Sequence, residues 1–235
     1  MTETDEILAI PLWINGHAYL TMAPAFFDVR DPRSGQIKRR TPLCGSVEAL
    51  AAVDSASAAL PAWSARAVGE RAALLALVGD ELAAYAEHFA GLIAEETGKD
   101  AVLAAAEVGD TVALLRGAAS DDTATTGSSR IVAIVSDDGA PLLGLLQAAV
   151  PALLTGATVI LKPSPKAPAA AFALAELTAL SGFPGGVVNV LQGDLAAIEG
   201  LCAAQQVSLV FFAGDPALGA RVSAIADRHG KPFAD

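Results

Sequence analysis

The spacing of apolar residues changes near the middle of this chain. Close to the start, Asn15-Gly16 lies between short apolar runs, with Trp13-Ile14 on one side and His17 opening the next, which predicts a tight hairpin. Residues 26–29 and 37–44 supply two more strands around the turn Asp31-Pro32-Arg33-Ser34-Gly35. The period then lengthens. Ser46 is placed to cap a helix reaching residue 62, and Leu75, Val78, Leu82, Tyr85, Phe89 and Ile93 recur at helical spacing, which predicts one longer helix ended by Gly98-Lys99. A third helix is expected over 102–115. Residues 117–129 are small, polar and rich in Thr and Ser, and read as a linker.

Beyond the linker, short unbroken apolar runs alternate with helical stretches. Strands are expected at 131–135, 157–161, 187–191 and 207–212, and helices at 141–154, 169–180, 195–205 and 216–228. Strands that are apolar on both faces need helices on both faces, so the fold class is α/β. A Rossmann-like parallel sheet is covered on each side and preceded by an N-terminal strand or hairpin and a helical segment. The expected organisation is a single domain over 1–235, with 1–116 as lead-in and 130–235 as the Rossmann-like portion. Ligands of such sheets bind beyond the carboxyl ends of the strands, which directs attention to the turns after Val135, Leu161, Leu191 and Phe212.

Composition narrows the partners. With 53% hydrophobic and 17% charged residues, the chain has more apolar surface than a soluble monomer ordinarily covers, so a homo-oligomer or a protein partner is expected. A net charge of -11 argues against nucleic acid and anionic membranes, whose phosphates call for clustered Lys and Arg. The local basic run Arg30, Arg33, Lys38, Arg39 and Arg40 reads as a solvated strand pair. Residues 139–161 carry no charge and are long enough to resemble a membrane span. Pro141, Pro151 and Gly156 inside that stretch point instead to a buried strand–helix–strand unit. The acidic N-terminus lacks the basic start of a secretory signal, and two distant cysteines suggest neither a disulfide framework nor metal-ligand spacing. A reducing, cytoplasmic setting follows as the expectation.

Candidate chemistry is sparse. Lys162, before Pro163-Ser164 at the end of a buried strand, is placed either to hydrogen-bond the ribose hydroxyls of a dinucleotide or to mark where that strand reaches water. Phe212-Ala213-Gly214-Asp215-Pro216-Ala217-Leu218-Gly219 is a strand, a glycine turn and a helix start, the geometry that presents N–H groups to a phosphate. Asp215 before Pro216 is also a preferred cap and first-turn pair, so its carboxylate is expected to take those N–H groups itself and to repel a phosphate. Cys44 and Cys202 lack the basic neighbours that lower a thiol pKa. His17, His88 and His229 are scattered, and Asp80-Glu81, Glu95-Glu96 and Asp121-Asp122 read as solvated pairs. No catalytic or metal-ligating constellation is predicted.

Several stretches taken together resemble the aldehyde dehydrogenase superfamily in order and spacing. They are Trp13-Ile14-Asn15-Gly16, the Asp31–Gly35 turn, Ala62-Trp63-Ser64, the run from Glu70 to Leu75, Glu96-Thr97-Gly98-Lys99, the run from Pro151 to Ser164, and Gly182 to Val190. The resemblance covers nearly the whole chain and implies the nucleotide-binding half of such an enzyme. It marks Lys162, Ser164, Gly214, Asp215 and Gly219 as the vestigial cofactor positions. Three departures stand out. Gly139 occupies the place of the oxyanion-stabilising Asn of the Pro-Trp-Asn-Phe-Pro motif, Asp215 the place of the Ser in Phe-Thr-Gly-Ser, and Pro165 the place of the acidic ribose partner. The general-base and catalytic-cysteine motifs of the family fall after the point reached at Asp235, so catalysis by this chain alone is not expected. The run from Asp137 to Gly144 looks most like the non-catalytic second domain of two-domain members of the family-sixteen type.

The resemblance therefore implies a non-catalytic subunit acting in assembly, stabilisation or channelling, with itself or with a full-length aldehyde dehydrogenase and without a cofactor. The alternative is an NAD(P)-binding component of a split oxidoreductase whose nucleophile lies on another chain. The linker at 117–129 is also too short for the family's oligomerisation hairpin, which puts its standard dimer in doubt.

Overall fold

The computed structural model describes residues 7–118 and 130–235, and the expected linker from residue 119 to its end, with Asp121-Asp122, lies outside them. Asn15 and Gly16 both adopt positive φ, 56° and 78°, and join β1 (Leu12–Ile14) to β2 (His17–Tyr19). Asn and Gly tolerate that conformation at least cost, so the hairpin forms where the sequence pattern puts it. β3 (Phe26–Arg30) and β4 (Ile37–Pro42) pair as a separate two-stranded sheet.

Three sequence expectations change in the helical lead-in. Ser46 is the first residue of α1 (Ser46–Ser64) rather than its cap, which is Gly45. Glu48 reaches back to accept the Gly45 N–H at 3.0 Å, so the free donor is satisfied from inside the helix. The single long helix is two, α2 (Val68–Ala84) and α3 (Ala86–Thr97), separated at Tyr85 (φ -105°, ψ 19°). Tyr85 leaves the core stripe and is half exposed, so the helical repeat was real but did not run through one rod. Gly117 belongs to α4 (Ala101–Gly117), which Asp100 caps through the Val102 N–H at 2.8 Å. Gly98 ends α3 in the left-handed conformation (φ 74°), as its position suggested.

The second half alternates as expected: β5 (Ile131–Ser136), α5 (Leu143–Leu154), β6 (Thr158–Lys162), α6 (Ala169–Leu180), β7 (Val188–Val190), α7 (Leu195–Ala203), β8 (Val207–Ala213) and α8 (Pro216–Arg228), followed by a short β9 (Phe233–Ala234) that the sequence pattern did not predict. The uncharged stretch is thus a turn, α5 and most of β6, and no helix among the described residues is long and apolar enough to cross a membrane. The main sheet has seven strands in the order β2-β1-β7-β6-β5-β8-β9, with β1 antiparallel to β7 and β5 to β9 parallel to one another.

Side chains alternate across this sheet and build a core on each face. Val132, Ile134, Val159, Leu161 and Val190 face a cluster supplied by α2, α4, α5 and α6. Ile131, Ala133, Val135, Ile160 and Phe212 face another supplied by α1, α7 and α8. β5 is central. The chain leaves it toward β6 and β7 on one side, then returns through α7 to β8 on the other. The carboxyl ends of β5 and β8 therefore flank a topological switch point, where open α/β sheets hold their ligands.

Candidate functional site

Two turns meet at that switch point. Register pairs Ser136 at the end of β5 with Ala213 at the end of β8, and the Asp137 N–H donates to the Ala213 carbonyl at 3.2 Å. This holds Asp137 directly against the turn before α8. One Asp137 carboxylate oxygen accepts the Gly139 N–H at 2.7 Å, and the other accepts the Asp215 N–H at 2.7 Å. Gly214 has φ +145°, and a Cβ added there would overlap the Asp137 carboxylate. Glycine is needed at 214 because any side chain there would meet the Asp137 carboxylate and a backbone conformation that L residues rarely adopt. Asp215 Oδ1 in turn accepts the N–H groups of Ala217 at 2.9 Å and Leu218 at 3.2 Å, with Pro216 following. The donors that the start of α8 offers are thus taken by two carboxylates of the chain itself.

The other sequence-marked residues fall around this crevice with distinct roles. Gly219 lies on the buried side of α8, where a Cβ would stand 3.0 Å from the Phe212 ring, so its smallness lets the helix pack on β8. The Ser164 hydroxyl donates to Asp138 at 3.3 Å and accepts the Lys166 N–H at 3.3 Å, bracing the turn after β6. Lys162 is buried, and its Nζ donates to the Pro163 carbonyl at 2.6 Å. Burial pulls its ammonium down to about 8, against an opposing pull from Asp194. A groove of about 410 Å³ opens beside these turns, lined by Phe27, Ser164, Lys166, Asp194, Asp215 and Arg221, while Lys162 is buried and does not line it.

These residues do not fit the diphosphate of a dinucleotide. The N–H of Asp215 is already bonded to Asp137, those of Ala217 and Leu218 to Asp215, and both acids present the same sign of charge as the diphosphate. Sequence inspection singled out Asp215 and missed Asp137. The Asp137-Asp138-Gly139 run signalled a turn, but that Asp137 faces Gly214 follows from the β5–β8 register, which no local pattern encodes.

Away from the crevice, both thiols sit in the core. Burial, helped by Glu48, pushes Cys44 up to about 12, and burial, helped by Glu199, pushes Cys202 up to about 11 against an opposing pull from Lys231 and Arg228, basic neighbours that the sequence spacing did not show. Burial thus disfavours the thiolate at both positions. His88 is exposed on α3, and His229 contacts Glu199 at 2.6 Å beside Arg228. The basic run is paired rather than simply solvated: Arg30 and Arg40 meet Asp28, Arg33 meets Asp31, and Lys38 and Arg39 meet Glu95. Glu96 corrects another expectation, because it is buried, with Arg39 at 3.2 Å and the Ala169 N–H donating to it at 3.0 Å. Among the described residues no cluster of His, Cys, Asp and Glu is arranged to hold a metal ion.

An open, doubly wound α/β sheet with a crevice between the first and fourth strands of its parallel set defines the class of Rossmann-like nucleotide-binding folds. The profile of the aldehyde dehydrogenase family matches residues 20–234, and the chain belongs to that family. It is 29% identical to human 2-aminomuconic semialdehyde dehydrogenase over 250 residues, covering 98% of this chain and 51% of that protein. It is 31% identical to N-succinylglutamate 5-semialdehyde dehydrogenase of a Caulobacter strain over 208 residues, covering 81% of this chain and 42% of that one. Among solved structures, Escherichia coli lactaldehyde dehydrogenase superposes with a TM-score of 0.87 at 26% identity, covering 97% of this chain and 51% of its own. A P. syringae indole-3-acetaldehyde dehydrogenase in complex with NAD+ superposes with a TM-score of 0.87 at 26% identity, covering 95% and 49%. The chain spans about half the length of the curated relatives it matches.

Proposed function

We propose that this chain is a non-catalytic aldehyde dehydrogenase-family unit that acts in assembly, stabilisation or channelling, with copies of itself or with a full-length aldehyde dehydrogenase. The observation that carries the reading is the crevice at the switch point, whose backbone donors are bonded to Asp137 and Asp215 instead of standing open to a cofactor. Gly139 at the turn after β5 supports it, because glycine offers no side-chain donor to a developing oxyanion. The raised thiols of Cys44 and Cys202 support it as well. For the assembly role, the support is apolar surface: Leu20 is 81% exposed and Met22 97%, and Leu8, Leu20 and Ile37 line one open groove of about 780 Å³.

Light scattering after size-exclusion chromatography, alone and after co-expression with a full-length aldehyde dehydrogenase, tests this reading. A dimer or larger species, or a stable mixed complex, is expected. A monomer that ignores the co-expressed enzyme contradicts it. The second reading, an NAD(P)-binding component of a split oxidoreductase, draws on the NAD+-bound relative and on Lys162 at the end of β6. Aldehyde-dependent NADH formation that appears only in a mixed complex would favour it.

A further inference from the structure

We infer that this chain excludes the dinucleotide its family fold implies, and that Asp137 is the residue that does so. The inference rests on the closed crevice but not on any assembly role. A cap such as Asp215 is common at helix starts and by itself only competes for the first-turn N–H groups. Asp137 differs in kind, because it comes from another element and takes up space as well as donors. The β5–β8 ladder runs through Ser136 and Ala213, and the next residue reaches over Gly214 to the Asp215 N–H. The Gly139 N–H fixes the second oxygen, so the carboxylate is held from its own turn and from the opposite one. It lies over the glycine whose missing side chain would otherwise leave room for a ligand to approach the backbone. A bound diphosphate must displace it, at the cost of two charge-assisted hydrogen bonds, and then share the site with Asp215. Neighbouring Asp138 and Asp194 add charge of the same sign; of the two cations among the described residues lining the groove, Lys166 is drawn 3.8 Å from Asp138, which leaves Arg221 as the one positive charge set against four carboxylates.

The test is calorimetric titration of NAD+ into the unaltered chain, D137G, and D137G/D215S, each checked for folding by circular dichroism. The unaltered chain is expected to give no saturable heat up to millimolar NAD+. The double variant is expected to bind at least about tenfold more tightly than that limit, with D137G alone giving part of the gain. Micromolar binding by the unaltered chain overturns the exclusion, and a folded D137G that binds no better than the unaltered chain, or a folded double variant that still ignores NAD+, overturns the assignment to Asp137. Where the variants fail to fold, the 15N amide spectrum of the unaltered chain decides. Unmoved Gly139 and Asp215 signals in millimolar NAD+ support the inference, and shifts at both refute it. Light-scattering results bear only on assembly, so failure of that role and failure of this exclusion are read separately.

Discussion

Glu96 sits between opposing influences. Arg39 and the Ala169 N–H favour its carboxylate, while burial and the nearby Glu95 favour the acid, and burial wins, raising Glu96 to about 7. A carboxyl group raised on folding contributes stability below its ordinary value of 4.5 and loses it as pH rises toward 7. Urea unfolding at pH 5 and pH 7.5 is therefore expected to show the unaltered chain losing up to about 3 kcal/mol relative to E96Q across that window. Parallel behaviour of the two proteins would remove this account of Glu96. Arg71 is a second buried charge, and it acts as a clamp. It donates to the Leu154 carbonyl at 2.9 Å and to the Ser64 carbonyl at 3.4 Å, joining the ends of α5 and α1. R71M is expected to cost about 2–4 kcal/mol in urea unfolding, because those carbonyls lose their buried donor. Neither role was legible in the sequence. Glu95-Glu96 looked like any surface acid pair, and Arg71 lay inside a helical run where nothing marks which charged side chain turns inward.

At the scale of elements, legibility followed local chemistry. The Asn15-Gly16 hairpin and α8 fell where expected, since each is bounded by residues with strong conformational preferences, Asn-Gly in one and Asp-Pro in the other. The break at Tyr85 and the true cap of α1 did not, because no Pro or Gly marks the first and the second depends on Glu48 within the helix. α5 shows a further reason. It has no side-chain cap of its own at Leu142, and Glu107 of α4 accepts the N–H groups of Leu142 at 3.0 Å and Leu143 at 3.2 Å while pairing with Lys99. A cap delivered by another helix is invisible to any window around the helix it caps. E107A is expected to lower stability by about 1–3 kcal/mol, because it strips the start of α5 and leaves Lys99 without its partner. A loss no larger than that of an exposed-face control such as E87A would show that water caps α5 equally well. Capping also bears on D215A, which is expected to lose about 1 kcal/mol measured by thermal melting.

For the whole molecule, the alternation of apolar strands and helices was enough to specify a parallel sheet with two cores, since only that arrangement buries strands on both faces. Of the crevice, the Asp215 cap was readable and Asp137 was not, because its place depends on which strand ends the crossover from β7 to β8 brings together. The family fold built a nucleotide-type switch point, and the residues placed there are carboxylates. The proposed role as a non-catalytic unit joins that fact to the core position of both thiols. Its most direct test is spectrophotometric: the purified chain is incubated with NAD+ or NADP+ and a panel of semialdehydes, and reduced cofactor is followed over hours. The account predicts no aldehyde-dependent reduction above the protein-free rate. Turnover that scales with protein concentration and disappears in C44A or C202A would contradict it.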